Sequence, residues 1–373
     1  MINTYTSYQL LTRDLGKSLD RVGKEPMVQR DTEYYLANIT KVTSAEEFVN
    51  DYRLFNYAMK AHGLEDMAYA KAFMLKALKE GVDDPDSFAN KLVDKRYAEF
   101  VKSFNFAAYG EKATTYTVAV DPVVDLYLAI ATPPGGKPSE GDIAATAFYA
   151  ENIGKVKTID QFLHKDNELL LGYALVALGL EGSFEDKKLL RTMLEGGHRD
   201  PESPANKHEN EAWLTFVKTF DFEGLGERAT SYNTAQQPSV DKFLRQTLEQ
   251  NAGMENEGVR LALYFERMAP TITSAYQLLG DPALAKLTRT LLQLPDAIAQ
   301  LDVDKQAALI EKRINIEDFQ DPEKLSKLVT RFTTLWEVQN PSTPIQSTIV
   351  SLFQPVEFGI SYDTLLAIAS MRR

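Results

Sequence analysis

There is no cysteine among the 373 residues, which excludes disulfides, thiolate catalysis and cysteine-ligated zinc or iron–sulfur centres. Histidine is scarce, with only His62, His164, His198 and His208. None of them stands in the His-Glu-x-x-His spacing that places two zinc ligands on one helix face. A Gly-x-Ser-x-Gly elbow and a dinucleotide fingerprint are also missing. No apolar run approaches the roughly 20 residues needed to span a bilayer, and Met1 to Gln29 is polar and amphipathic, unlike a cleaved export signal. Positive charge is outweighed: 41 Lys and Arg against 53 Asp and Glu leave a net charge of −12 and a pI near 5.0. That balance opposes nonspecific attraction to nucleic acid or anionic lipid. The expectation is a chain without enzymatic activity, cofactor or metal, cytoplasmic or exported by a route without a cleaved signal.

What the chain does contain is a duplication. Phe100-Val-Lys-Ser-Phe-Asn-Phe106 returns 116 positions later as Phe216-Val-Lys-Thr-Phe-Asp-Phe222. Asp84-Pro85, Ala89-Asn90-Lys91 and Gly110-Glu111-Lys112-Ala113-Thr114 return at the same shift, as Asp200-Pro201, Ala205-Asn206-Lys207 and Gly226-Glu227-Arg228-Ala229-Thr230. Upstream the shift is 114, as in Asn38-Ile39 against Asn152-Ile153, so two residues were gained between Phe162 and Gly179. A more divergent third copy follows, carrying Asp321-Pro322. Self-similarity of this kind marks a modular chain, with a unit much longer than solenoid periods.

The repeated positions are mostly helix punctuation. Ser44-Ala-Glu-Glu47, Thr158-Ile-Asp-Gln161 and Ser274-Ala-Tyr-Gln277 read as capping boxes. The Asp-Pro steps read as acidic caps followed by a proline whose missing N–H costs nothing in a first turn. Phe48, Tyr52, Phe55, Met59 and His62 trace one helical stripe, as do Val93, Tyr97, Phe100 and Phe104, then Trp213, Phe216 and Phe220, then Leu325, Leu328, Phe332 and Trp336. Core packing explains these aromatics better than an exposed binding face. No period-2 alternation is sustained, so the fold class is all-α, built of tandem duplicated multi-helix units, two clear and a divergent third. Short extended pieces are expected only near Thr115 to Val120.

The organisation read from these signals is an amphipathic amino-terminal arm over 1–32, helical repeats over 33–140, 141–258 and 259–340, and a tail over 341–373. Helices are expected near 44–62, 67–80, 85–105 and 122–131, with Thr132-Pro-Pro-Gly-Gly-Lys-Pro-Ser-Glu-Gly141 as the clearest loop and Asn251 to Gly258 as its counterpart. Leu10, Leu11, Leu15 and Leu19 in the arm, and Leu352 and Phe353 in the tail, are the candidate partner-binding residues, because they lie outside the duplicated cores. His198 and His208, flanked by Glu202, Glu209 and Glu211, could form a weak metal site but read better as a solvated loop. His62, on an apolar stripe, reads as a packed imidazole. Gly135-Gly136-Lys137 has the wrong spacing for a phosphate loop. Asp83, Asp84 and Asp86 lack the glycine and terminal glutamate of a calcium loop. Lys187-Lys188 with Arg191 reads as a solvated helix face.

The aromatic block followed by Gly-Glu-Lys/Arg-Ala-Thr, in tandem after an Asp-Pro helix start, resembles the DUF1217 family, uncharacterised α-proteobacterial proteins often encoded among flagellar genes. The likeness covers roughly 32–235 in two good copies; the third departs, with Phe332-Thr-Thr-Leu-Trp336 in place of the aromatic block. The resemblance implies a structural or adaptor protein of flagellar assembly or motility, working through helical protein–protein surfaces on flagellar partners. The alternatives are an exported flagellar axial component and a small-molecule-binding helical protein.

Overall fold

The computed structural model describes residues 3–340, which are helical throughout, with no strand among them. Thr115 to Val120 forms turns, not the extended pieces expected there. No helix among the described residues is long and apolar enough to cross a membrane. The candidate residues Leu352 and Phe353 lie outside the described part. The described residues fall into two compact units, one over 16–248 and one made of 3–15 with 249–340.

In Gly16–Leu248 the two good copies repeat the same construction. Ser44 and Thr158 each accept from the third residue's N–H, Glu47 at 3.2 Å and Gln161 at 3.1 Å. The Glu47 and Gln161 side chains reach back one residue further than a capping box does, to the N–H of Thr43 and of Lys157. The expected helix over 44–62 is two helices, Ala45–Asn50 and Tyr52–Ala61. Asp51 causes the break. Its backbone is extended, and its side chain accepts from the N–H groups of Arg53 and Leu54, which starts the second helix. The apolar stripe is therefore bent, and Tyr52 falls on the exposed side. The second copy replaces this single cap by the short turn Lys165–Asn167, which is where the two extra residues sit.

The Asp-Pro steps of these copies do not open helices. Asp84 and Asp200 accept from the N–H of Asp86 and of Glu202, both at 2.8 Å, and so close turns. The expected helix over 85–105 is Phe88–Lys91 followed by Arg96–Ser103, and Val93, in the gap, is exposed. Asp94 and its counterpart Asn210 start the second helix by accepting from the N–H of Arg96 and of Ala212, both at 3.0 Å. The duplicated Asn holds the first: Asn90 donates to the carbonyls of Val82 and Asp84, and Asn206 to those of His198 and Asp200. Each Asn pins the preceding loop from inside a four-residue helix.

The aromatic block is a helix end, a kink and a new start. Arg96–Ser103 stops at Phe104, and Asn105 caps Phe106–Tyr109 by accepting from Ala108. The kink turns Phe100, Phe104 and Phe106 toward one ring, Phe48, at centroid distances of 6.1, 4.6 and 5.9 Å. In the second copy Phe216, Phe220 and Phe222 surround Phe162 at 6.3, 4.7 and 6.1 Å. His62 meets Phe100 edge-on at 5.4 Å, a packed imidazole as expected.

The two copies then exchange contacts reciprocally. The Tyr35 hydroxyl donates to the Ala235 carbonyl at 2.6 Å, and the corresponding Tyr149 hydroxyl donates to Ala119 at 2.7 Å. Tyr57 stacks on Phe243 at 3.8 Å, while its counterpart Tyr173 stacks on Tyr127 at 3.9 Å. Each copy thus borrows the closing segment of the other, an arrangement that in two separate chains would be an isologous dimer. Burial pushes the Tyr35 and Tyr149 hydroxyls well above the ordinary phenol range. Tyr35→Phe leaves the Ala235 carbonyl without its donor and is expected to cost about 1–3 kcal/mol. A phenol held neutral in the fold contributes stability that is intact below the unfolded pKa of about 10 and lost as pH rises through the folded value. Alkaline unfolding followed by circular dichroism should therefore steepen above pH ~10 in the wild type and less so in Tyr35→Phe/Tyr149→Phe.

The other unit holds the third copy: Glu257–Met268, Ala275–Gly280, Pro282–Leu291, Val303–Glu311 and Pro322–Gln339. Asp281 takes the role of Asp51, accepting from Ala283 and Leu284, and the Tyr264 hydroxyl donates to it as Tyr34 does to Asp51. Ser274 makes no side-chain cap bond, although Gln277 still accepts from the Thr273 N–H at 2.7 Å. Asp321-Pro322 does open a helix, Asp321 accepting from Glu323 and Lys324. Phe265 stands where Tyr35 and Tyr149 stand, so the phenol latch is absent and the ring meets Phe319 edge-on at 5.2 Å. Gly258 lies directly beneath the Trp336 indole, where any Cβ would clash.

One expectation is corrected here. The helix Gln237–Glu255 runs through Asn251 and Gly253, so the loop counterpart shrinks to Asn256, which caps Glu257–Met268. Residues 3–32, read as an amphipathic arm, lie in three helices, Thr4–Thr12, Leu15–Gly23 and Pro26–Ile39, the last running on past the arm. Tyr8 is buried with Val259 and Phe332, and the Thr4 N–H and hydroxyl donate to Glu337. Of the candidate partner residues, Leu10 is half exposed, Leu11 packs on this core, and Leu15 and Leu19 are half-buried.

Candidate functional site: a groove formed by both copies

Where the 230s segment crosses the first copy it leaves a groove of about 540 Å³. One wall is Tyr109 stacked on Tyr116, centroids 3.9 Å apart, and the other is Tyr232, Asn233 and Thr234. The crossing is fixed by three bonds: Asn233 to the Tyr116 carbonyl at 2.7 Å, Thr234 to Ser103 at 2.8 Å and Gln236 to Thr114 at 2.9 Å. Asp83, Glu99 and Lys102 stand at the lining, and burial raises the Tyr116 hydroxyl pKa. Such walls can stack a planar group, and the carboxylates can pair with a positive charge beside it.

The corresponding place in the second copy is filled by charge. Arg199 replaces Asp83, Asp221 replaces Asn105 and Glu223 replaces Ala107. The Arg199 guanidinium donates to both Asp221 oxygens, at 3.1 and 2.6 Å, and reaches Glu223 at 3.4 Å. Asp221 holds the guanidinium pKa above its usual value. The His198, Asp221 and Glu223 ligand atoms lie within 4.8 Å of one another. The guanidinium already supplies the positive charge there, so the set is a salt-bridged clasp between the loop before Asp200 and the start of Phe222–Leu225.

His198 therefore meets Asp221 and Glu223, not the Glu202, Glu209 and Glu211 expected from sequence proximity. His208 accepts from the Asn210 N–H at 3.0 Å and lies beside Trp213. His164 caps Lys165–Asn167, accepting from Asp166. Gly135 takes a φ of +74 in a turn closed by Gly136 N–H to Pro133. The groove and the clasp went unnoticed in the sequence, yet a signal for both was present: positions 83, 105 and 107 change character between copies whose neighbours are kept.

These features define a duplicated all-α protein whose first copy keeps a tyrosine-walled groove where the second carries a salt-bridged clasp. The chain belongs to the DUF1217 family, described as proteins of unknown function, which it matches over residues 61–132 and 177–325. It is 39% identical to protein AGR_C_984 from Agrobacterium tumefaciens, whose X-ray crystal structure it resembles with a TM-score of 0.54 over 91% of this chain and 94% of that one. No curated protein matches.

Proposed function

We propose that the protein is a non-enzymatic adaptor of flagellar assembly or motility that works through helical contact surfaces. The observation that supports this best is how the two exchanged copies differ. Their cores repeat the same ring and hydroxyl contacts, whereas outward positions change chemistry in both directions. Tyr52, Tyr69 and Val93 are exposed in the first copy where the second has Glu168, Glu185 and Glu209. Leu126, Ile130, Ile143, Phe148 and Leu169 are exposed in the second where the first has or borrows Lys242, Gln246, Gln29, Tyr34 and Arg53. Large exposed apolar side chains beside charged ones suit recognition of other proteins. The flagellar assignment comes from the family likeness alone, an association with no mechanism attached.

Removing the chain from a flagellated host should reduce swimming in soft agar, and the wild-type sequence should restore it. Undiminished swimming and filament number in the deletion strain would end the flagellar reading. A second reading, a small-molecule binder, has the tyrosine-walled groove in its favour; Tyr109→Ala would then abolish ligand binding without affecting folding.

A further inference from the structure

At the tyrosine-walled groove, four lining positions differ between the copies while their neighbours are kept. Asp83, Glu99, Asn105 and Tyr109 stand where the second copy has Arg199, Thr215, Asp221 and Leu225. Asn90, Lys102 and Ala113 are repeated as Asn206, Lys218 and Ala229. The first copy thus has two carboxylates, an amide and a ring where the second has a guanidinium balanced by a carboxylate. Asp83 and Glu99 are exposed, and neither has an ion pair among the described residues.

Asn105 adds the opposite requirement. It is only 6% exposed, and its Oδ1 accepts from the Ala108 N–H at 3.2 Å, which fixes the orientation of the amide and leaves Nδ2 as its other end. Nδ2 has no hydrogen-bond partner among the described residues, although the side chain lines the groove. In the second copy this position meets donors: Asp221 takes the Gly224 N–H at 2.9 Å and the Arg199 guanidinium. No guanidinium can take that pose in the first copy, because Ala108 replaces Gly224, where any Cβ would clash with Arg199. A buried amide donor calls for an acceptor. Lys102, exposed and without an ion pair among the described residues, brings a positive charge to the same groove. The groove therefore offers donors to an anion, carboxylates to a cation, and the rings of Tyr109, Tyr116 and Tyr232 to a planar apolar group.

The geometry points to a free aromatic α-amino acid as the ligand of this groove. Its carboxylate takes Asn105 Nδ2 and Lys102, its ammonium lies against Asp83 and Glu99, and its ring packs on the tyrosine walls. Only the free amino acid joins both charges to one carbon; a residue inside a peptide has neither. The volume of about 540 Å³ lies within the range that small-molecule sites use. This deepens the small-molecule reading and rests on it.

The test is calorimetric titration of the full chain with L-phenylalanine, with phenethylamine, which lacks the carboxylate, and with 3-phenylpropionate, which lacks the ammonium. L-phenylalanine should bind about tenfold more tightly than either analogue. Asn105→Asp matches Asp221, which keeps the cap in the second copy, and turns a donor into an acceptor. It should weaken L-phenylalanine about tenfold and leave phenethylamine bound no more weakly. Lys102→Gln, at an exposed position, should act in the same direction. Tyr109→Leu, matching Leu225, should weaken all three ligands. The proposal is overturned if L-phenylalanine binds no more tightly than phenethylamine, or if Asn105→Asp weakens both equally or neither. Phenethylamine binding that Tyr109→Leu removes, without a preference for L-phenylalanine, would leave the small-molecule reading standing and defeat only the amino-acid class. Binding of none of the three defeats the proposal, and a native mass spectrum of the purified chain free of any adduct would then end the small-molecule reading as well.

Discussion

Phe48→Ala will destabilise the protein by about 3–5 kcal/mol, and Phe162→Ala will do the same within the scatter of such truncations. Each ring is fully buried and is the common neighbour of three others contributed by one kinked segment. Removal leaves a cavity that cannot collapse, because Phe100, Phe104 and Phe106 are held apart by a helix end, an Asn cap and a second helix start. The surrounding atoms would have to move as rigid pieces, and packed interiors resist that. Tyr52→Ala serves as the control, since its ring is exposed and the change should stay within about 0.5 kcal/mol. Urea unfolding of the three variants gives the comparison directly. Costs below about 1 kcal/mol at both phenylalanines would mean that the duplicated aromatic block is not the centre of each core.

The aromatic block announced the duplication and the all-helical class, because its spacing and its caps are local properties of the chain. What it concealed was the kink. Phe100 and Phe104 read as one stripe over 85–105, but Asp94 accepts from the Arg96 N–H and starts a second helix, while Asn90 ties the first one to the loop at 82–84 through side-chain bonds to carbonyls six and eight residues earlier. Asp51 acted similarly within 44–62. In both cases a short polar side chain took backbone partners that a continuous helix would have used. Apolar periodicity carries no trace of such a substitution. The opposite error occurred at 251–258, where polar and glycine composition suggested a loop and the helix persisted to Glu255.

The groove and the clasp were hidden for a different reason. Arg199 and Asp221 are 22 residues apart, and their meeting depends on how two loops are brought together, not on either loop's own preferences. Proximity in sequence offered His198 the wrong carboxylates. The duplication was the better guide, since Asp83, Asn105 and Ala107 occupy the same frame without the charges. A chain that contains two versions of one core provides its own comparison, and the differing positions mark where the copies have separate roles.

The reciprocal tyrosines lead to the second large effect. A fragment spanning residues 16–136, cut within the proline–glycine loop, will not fold as a monomer but will form a homodimer. On its own it lacks Ala235 and Phe243, the groups that Tyr35 and Tyr57 meet. It does contain Ala119 and Tyr127, the corresponding groups that the second copy borrows. Two fragments can therefore satisfy each other, Tyr35 of one donating to Ala119 of the other and Tyr57 stacking on Tyr127, around the axis that relates the copies in the intact chain. An obligate dimer of this type has a stability that depends on concentration, so its thermal midpoint should rise with protein concentration, whereas that of the intact chain should not. Sedimentation equilibrium would give twice the fragment mass. A folded, monomeric fragment with a midpoint independent of concentration would show that each copy closes its own core and that the exchange of tyrosine partners contributes nothing essential.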